Sequence, residues 1–114
     1  MKKIIIAISV ILYLAHCTAS KKMSEKLLPT EKEMVIAQKT NPAITLTDLR
    51  AGHFIYFNQC TECHKAHNIP KFSEKKWKHE IDDMSPKAKL TEEQKATLSN
   101  YILSFREANA VVAK

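Results

Sequence analysis

The feature that most constrains this chain is the string Cys60-Thr61-Glu62-Cys63-His64, in which two cysteines three positions apart precede a histidine. This Cys-x-x-Cys-His spacing is the attachment signature of a c-type haem. On one helical turn, each of the two thiols can add to a haem vinyl group, and the next imidazole can bind the iron. The motif therefore predicts one covalently bound haem with His64 as the proximal ligand.

The cysteine pair alone is also compatible with other chemistry. A redox-active dithiol or half of a zinc site has the same spacing. A zinc site needs a second pair of ligands, and none stands at a suitable spacing in the sequence. A thioredoxin-like dithiol needs alternating strands and helices around it, a pattern that the chain lacks. Haem attachment agrees best with the surrounding sequence.

Residues ahead of the motif match a family pattern. Gly52 lies eight residues before Cys60, and Tyr56 lies four residues before it. This spacing resembles the first helix of the class I cytochrome c family, which reads Gly-x-x-x-aromatic-x-x-x-Cys-x-x-Cys-His. Gly52, which has no side chain, is expected to let the last helix cross closely near Tyr101.

The second half of the chain extends the resemblance, which covers about 46–106. Trp77 precedes Met84 as in small bacterial monohaem domains, and Leu-Thr-Glu-Glu at 90–93 is similar to the start of the family's C-terminal helix. The resemblance implies an all-α, cytochrome c-like fold with about four helices packed around one covalently bound haem. A single glycine and the lack of sustained β-branched alternation after residue 20 also favour helices.

The resemblance also implies how the haem is held. Thioether bonds from Cys60 and Cys63 fix it, and His64 binds the iron on one side. Met84 is the only methionine downstream of His64 and is the expected distal ligand. A methionine ligand raises the reduction potential. His79 is the alternative ligand, and it would lower the potential.

Four further residues are expected to contact the haem. Ile69 and Pro70 follow the motif and are expected on the proximal side, where a backbone carbonyl can hold the ring N–H of the axial histidine. Tyr56 and Trp77 are expected to face the haem from their helices. His67 is expected to be exposed to solvent and is not assigned as a ligand.

Capping residues and apolar spacing predict the helices. The first is expected to show Met34, Val35 and Ala37 on one side. Leu98, Tyr101, Ile102 and Phe105 are expected to form the core face of the last helix. Trp77, Ile81 and Met84 are expected to share one face of the helix that follows Ser73. The predicted helices run from Glu31 to about Lys39 after Thr30, from Asp48 to about Gln59 after Thr47, from the cap Ser73 to a close at Ser85-Pro86, and from Glu92 to about Glu107 after Thr91.

The first nineteen residues predict a signal peptide, because Lys2 and Lys3 precede the apolar run Ile4–Ala15. This run is too short to span a membrane comfortably. Export to the periplasmic side agrees with the resemblance, since the family acquires its haem outside the cytoplasm.

The cleavage position is open between two main alternatives. Leu14-Ala15-His16-Cys17 is similar to a lipobox, although His16 replaces the usual small residue, and cleavage there would leave a lipidated Cys17 on a membrane surface. Cleavage after Ala19 would give a soluble carrier, and an uncleaved anchor is a third alternative. Lipidation is preferred because an isolated cysteine directly after the apolar run has no other assigned role.

The sequence divides into four parts. Residues 20–44 are rich in lysine and glutamate, and their first part, from Ser20 to Pro29, is expected to form a flexible tether. The predicted parts are the signal at 1–19, the tether and short N-terminal helix at 20–45, the haem domain at 46–108 and the C-terminal tail at 109–114.

Charge says little about partners. The formal net charge of +6 falls by two units when Lys2 and Lys3 leave with the signal. Lysines near the motif form either an ordinary solvated face or a basic rim that steers redox proteins with acidic docking surfaces. Nucleic acid is not an expected partner. These lysines are Lys65, Lys71, Lys75, Lys76 and Lys78.

The sequence predicts single-electron transfer by an iron that cycles between Fe(II) and Fe(III) outside the cytoplasm. No constellation of catalytic acid, base and nucleophile is present, so the chain is not expected to be an enzyme. One alternative is a haem-based sensor or small-ligand binder with a labile distal ligand. Another is the haem subunit of a larger oxidoreductase.

Overall fold

The computed structural model describes residues 21–61 and 65–110, and this part of the chain is all-α, as predicted. The predicted signal peptide with Cys17, the motif residues Glu62, Cys63 and His64, and the end of the tail at 111–114 lie outside the described residues. Residues 21–26 are helical. The remaining elements are α1 (Glu31–Gln38), α2 (Leu46–Ile55), a π-helical turn (Tyr56–Cys60), a 3₁₀ turn (Ile69–Lys71), α3 (Glu74–Lys87) and α4 (Glu92–Asn109).

Three predicted caps are confirmed. At α1 the Glu33 carboxylate accepts hydrogen bonds from the backbone N–H and the hydroxyl of Thr30, at 2.8 and 2.7 Å. Ser73 accepts a backbone N–H from the first turn of α3, and Thr91 exchanges hydrogen bonds with Gln94 at the start of α4. Such caps occupy N–H groups that a first helical turn leaves unpaired.

The cap of α2 is Thr45, so the prediction of Thr47 is wrong. The Asp48 carboxylate accepts from the backbone N–H and the hydroxyl of Thr45 at 2.8 and 2.6 Å, and the Thr45 hydroxyl accepts from the Asp48 N–H. Asp48 stands three residues after Thr45, as a capping box requires. These hydrogen bonds from Thr45 lower the pKa of Asp48.

Helices α2 and α4 cross in close contact at Gly52, as the sequence predicted. A Cβ atom at this position would lie 2.4 Å from Cβ of Tyr101 and 2.6 Å from the carbonyl oxygen of Thr97. The two backbones can approach this closely only because Gly52 has no side chain. The predicted core face of α4 is also confirmed, with Leu98, Tyr101, Ile102 and Phe105 all buried.

The segment before α1 is packed against the core, which corrects the expectation of a flexible tether up to Pro29. Leu27 is 2% exposed, and its carbonyl accepts a hydrogen bond from the Tyr101 hydroxyl at 2.7 Å. Met23 packs against the same core cluster, and Pro29 is buried. The charged residues Lys21, Lys22, Glu25 and Lys26 are exposed, so a few apolar contacts suffice to hold a highly charged segment.

Helix α1 packs on α4, and its buried side was predicted only in part. Ala37 is buried and Met34 is half-buried against Ile44 and Leu49, whereas Val35 is 57% exposed. Val35 follows Met34 directly, and adjacent residues of a helix point in different directions. The placement of Val35 on the packed side is therefore wrong.

His53 joins the segment before α1 to α2. Its Nε2 lies 2.9 Å from the carbonyl oxygen and 3.2 Å from the hydroxyl of Ser24. Its ring centroid lies 4.8 Å from that of Phe57 and 5.6 Å from that of Tyr101. Burial lowers the pKa of His53 below its ordinary value of 6.5, against the opposing effect of the hydrogen bond to the Ser24 carbonyl.

This lowered pKa predicts a loss of stability as the pH falls. The folded protein favours neutral His53, so its contribution is complete above pH 6.5 and declines as the pH drops through that value towards the folded pKa. We expect urea denaturation to show a larger loss of unfolding free energy, from about pH 7.5 to about pH 5.5, in the wild type than in His53→Gln. Equal losses in the two proteins would contradict the prediction.

Candidate functional site

A pocket opens beside Cys60, between the π-helical turn, α3 and α4. It contains about 410 Å³ of space free of protein atoms, part of which is open to solvent. Its polar lining residues are the more exposed ones, Thr61, Lys65, His67 and Glu80, and its apolar wall consists of Tyr56, Trp77, Ile81, Met84, Leu98 and Ile102.

The π-helical turn Tyr56–Cys60 brings the first motif cysteine to this pocket. The sequence predicted an uninterrupted helix to about Gln59, but the winding changes after Ile55. Two side chains donate hydrogen bonds to backbone carbonyls in this turn. Asn58 donates to Phe54 at 2.8 Å, and Thr61 donates to Phe57 at 2.7 Å. Single π turns within helices frequently occur at functional sites.

The Cys60 thiol lies in an apolar environment and is 5% exposed. Burial raises its pKa to about 11, so the thiol is protonated at neutral pH. A nucleophilic redox cysteine instead has a lowered pKa, commonly at a helix N-terminus. Cys60 stands at the C-terminal end of its helical run, where the helix dipole disfavours a thiolate. These surroundings disfavour a redox dithiol and are compatible with attachment of an apolar group.

Met84 reaches the pocket from α3, where it shares one face with Trp77 and Ile81. Trp77 and Ile81 are buried, and Met84 is half-buried. The sequence predicted this face. It also predicted that Ser85 and Pro86 end the helix, and this is wrong, because α3 continues to Lys87.

Proline at position 86 is tolerated because it lies in the last turn of α3. It has no N–H to donate to the carbonyl of Asp82, and only one residue of the helix, Lys87, follows it. The end of the helix keeps its other partners, with Met84 O accepting from Ala88 N at 2.9 Å and Ser85 O accepting from Leu90 N at 3.0 Å. Met84 therefore lies on a helix and not on a loop.

The two candidate distal ligands occupy different faces of α3. Met84 lines the pocket that contains Cys60, whereas His79 is exposed and does not line it. His67 is exposed, as expected, yet it also lines the pocket, with its ring centroid 6.5 Å from that of Trp77. Sequence reasoning missed this contact of His67.

Ile69 and Pro70 lie beside the site and do not line the pocket. Ile69 is fully buried in the core cluster, and Pro70 is half-buried in the 3₁₀ turn. The Ile69 carbonyl accepts a hydrogen bond from the indole N–H of Trp77 at 2.8 Å. The expected bond between a carbonyl of this loop and His64 stays a prediction, because His64 lies outside the described residues.

The structure thus brings Tyr56, Cys60, Trp77 and Met84 together at one pocket. Within the described ranges, no three histidine, cysteine, aspartate or glutamate side chains gather as a candidate metal site. None of the helices described is long and apolar enough to cross a membrane.

Comparisons with models of known protein families, with curated proteins and with solved structures found no match for this chain. The described structure is that of an all-α protein with a largely apolar pocket next to a buried cysteine.

Proposed function

We propose that this chain is an exported c-type cytochrome that transfers single electrons. Thioether bonds from Cys60 and Cys63 would hold one haem, and His64 and Met84 would be its axial ligands. The Cys-x-x-Cys-His string supports attachment. Resemblance to the class I family supports a cytochrome c-like fold, and the close crossing of α2 and α4 at Gly52 agrees with it.

The observation that carries the proposal is that Cys60 and Met84 line the same pocket. They belong to different helices and are separated by the whole of the loop 65–72. One residue supplies a thiol for attachment and the other a thioether suited to iron. Their meeting in an apolar space supports a haem site with a methionine ligand, whereas the position of His79 gives no such support.

The side chains around the pocket have separate roles in this proposal. A bound haem supplies an iron that changes between Fe(II) and Fe(III). The buried side chains of Trp77, Ile81 and Leu98 would keep water away from the haem. Exclusion of water and a thioether ligand both favour the ferrous state. Lys65 and Glu80 lie on the polar part of the lining, where a redox partner can approach.

Absorption spectra of the full chain, exported from a host with a cytochrome c maturation system, test the proposal. We expect haem bands that remain with the denatured polypeptide, and a weak near-infrared band of ferric iron bound to sulfur. Met84→Ala should lose the sulfur band and lower the reduction potential. The matched control His79→Ala, on the same helix, should keep the sulfur band and the wild-type reduction potential.

Three results would contradict the proposal in different ways. Absence of covalent haem would favour the alternative roles of Cys60 and Cys63, a redox-active dithiol or part of a metal site. Loss of the native spectrum in His79→Ala, with no effect of Met84→Ala, would make His79 the ligand. Carbon monoxide binding to the ferrous wild type at neutral pH would indicate a labile distal ligand and favour a sensor or ligand-binding protein.

A further inference from the structure

The loop that follows the haem motif is held by side chains from three different helical elements. The Tyr56 hydroxyl lies 2.8 Å from the backbone nitrogen of His67, whose N–H it accepts, and it donates to the carbonyl of the same residue at 3.3 Å. The carbonyl of Ile69, two residues after His67, accepts a hydrogen bond from the indole N–H of Trp77 at 2.8 Å. Arg106 donates through Nε to the Phe72 carbonyl, also at 2.8 Å. These three side chains are called the loop clamp below.

Tyr56 makes the contact nearest to the motif. It is buried, and burial raises its pKa to about 12, so the hydroxyl stays protonated and can donate and accept at once. Residues 65–68 have no regular secondary structure, so the His67 peptide has no helical partner. A buried tyrosine hydroxyl that bonds both polar atoms of one loop residue fixes the path of the chain there.

We propose that Tyr56 is a positioning residue, whose hydroxyl, together with the other two members of the loop clamp, sets the path of the chain as it leaves His64. The inference rests on the proposed function, in which His64 binds the iron. His67 follows His64 by three residues, so the Tyr56 hydroxyl holds the chain three residues beyond the proposed ligand. Outer contacts of this kind orient metal ligands and tune the metal.

Tyr56→Phe in the exported full chain tests this role against the matched control Tyr101→Phe. Both tyrosines are buried in one core cluster, and each hydroxyl bonds to loop backbone, but Tyr101 holds Leu27. We expect Tyr56→Phe to speed hydrogen exchange of the His67 amide by about two- to tenfold, because this amide loses its hydrogen bond to the hydroxyl. It should also shift the reduction potential. Tyr101→Phe should leave the potential and the exchange of 65–72 unchanged.

Arg106→Met provides a second variant at the far end of the loop clamp, should Tyr56→Phe fail to fold. It should speed exchange at 71–73. Because this substitution also removes a positive charge, the exchange rate and not the reduction potential is its readout. Unchanged loop exchange in both variants, or faster exchange in Tyr56→Phe without any shift in potential, would overturn the positioning role. Failure of the proposed function is distinguishable, because it would appear in the wild-type spectrum as missing haem or a missing sulfur band.

Discussion

Gly52→Ala is expected to destabilise the protein by about 1–3 kcal/mol, although alanine is intrinsically the better helix former. The added Cβ would stand 2.4 Å from Cβ of Tyr101 and 2.6 Å from the Thr97 carbonyl oxygen. Neither atom is the mobile end of a flexible side chain, so α2 and α4 must move apart. Tyr101 is fully buried, and this movement would disturb the centre of the core.

Denaturation with urea measures this loss, and Ala51→Gly provides the control. Ala51 is the exposed neighbour of Gly52 on α2, where glycine should cost about 1 kcal/mol through helix propensity alone. Alanine is thus favoured at one position and glycine at the next. A Gly52→Ala variant more stable than the wild type would mean that the gain in helix propensity exceeds the cost of the clash with Tyr101 and Thr97. The close crossing of α2 and α4 would then be refuted.

The crossing at Gly52 was predictable because it depends on helical periodicity. Apolar residues three or four positions apart share a face whatever the surrounding fold, and this rule identified Leu98, Tyr101 and Phe105 as core. The same rule placed Trp77 and Ile81 on one face of α3. Side chains whose positions follow from the helix itself can be assigned before the fold is known.

The segment before α1 shows where composition misled. Its three lysines and one glutamate between residues 20 and 29 predicted a tether, since such segments bury little apolar surface. Leu27 is nevertheless buried, and its carbonyl bonds to Tyr101, 74 residues away. Nothing in the local sequence encodes that bond, because it depends on where α4 places its tyrosine.

The predictions of two helix ends were wrong for a different reason, because similar local signals compete there. Thr45 and Thr47 both precede Asp48, and only the three-residue spacing of Thr45 allows the reciprocal hydrogen bonds seen. Pro86 was expected to end the helix, but α3 continues for one residue beyond it, where little helix remains for the proline to disrupt. Such choices differ by small free energies and are decided by local geometry.

The pocket could be predicted in outline but not in detail. Sequence reasoning named Tyr56, Cys60, Trp77 and Met84, and the structure brings them together. It did not anticipate the loop clamp, because hydrogen bonds from side chains to distant carbonyls are not periodic. For the same reason the sequence did not predict that Ile69 lies in the core and not in the lining of the pocket. Its carbonyl accepts a hydrogen bond from Trp77.

Trp77→Ala is expected to lower the unfolding free energy by about 3–5 kcal/mol, the usual cost of removing a buried tryptophan. The side chain is 4% exposed, and its ring packs edge-on with Tyr56 and Phe72 at centroid distances of 6.1 and 5.8 Å. The truncation would leave a cavity in the wall of the pocket and deprive the Ile69 carbonyl of its donor. The loss is measurable by urea denaturation of the exported protein.

Trp77→Phe separates the two contributions, since it keeps an aromatic ring but removes the indole N–H. We expect it to cost about 1–3 kcal/mol, less than Trp77→Ala, because the Ile69 carbonyl loses its partner while much of the packing remains. Phe54→Ala is the surface control. Phe54 is 61% exposed, so its truncation should change stability by no more than about 0.5 kcal/mol. Equal losses for Trp77→Ala and Phe54→Ala would show that Trp77 is not part of a packed core, and the pocket would then lack its wall.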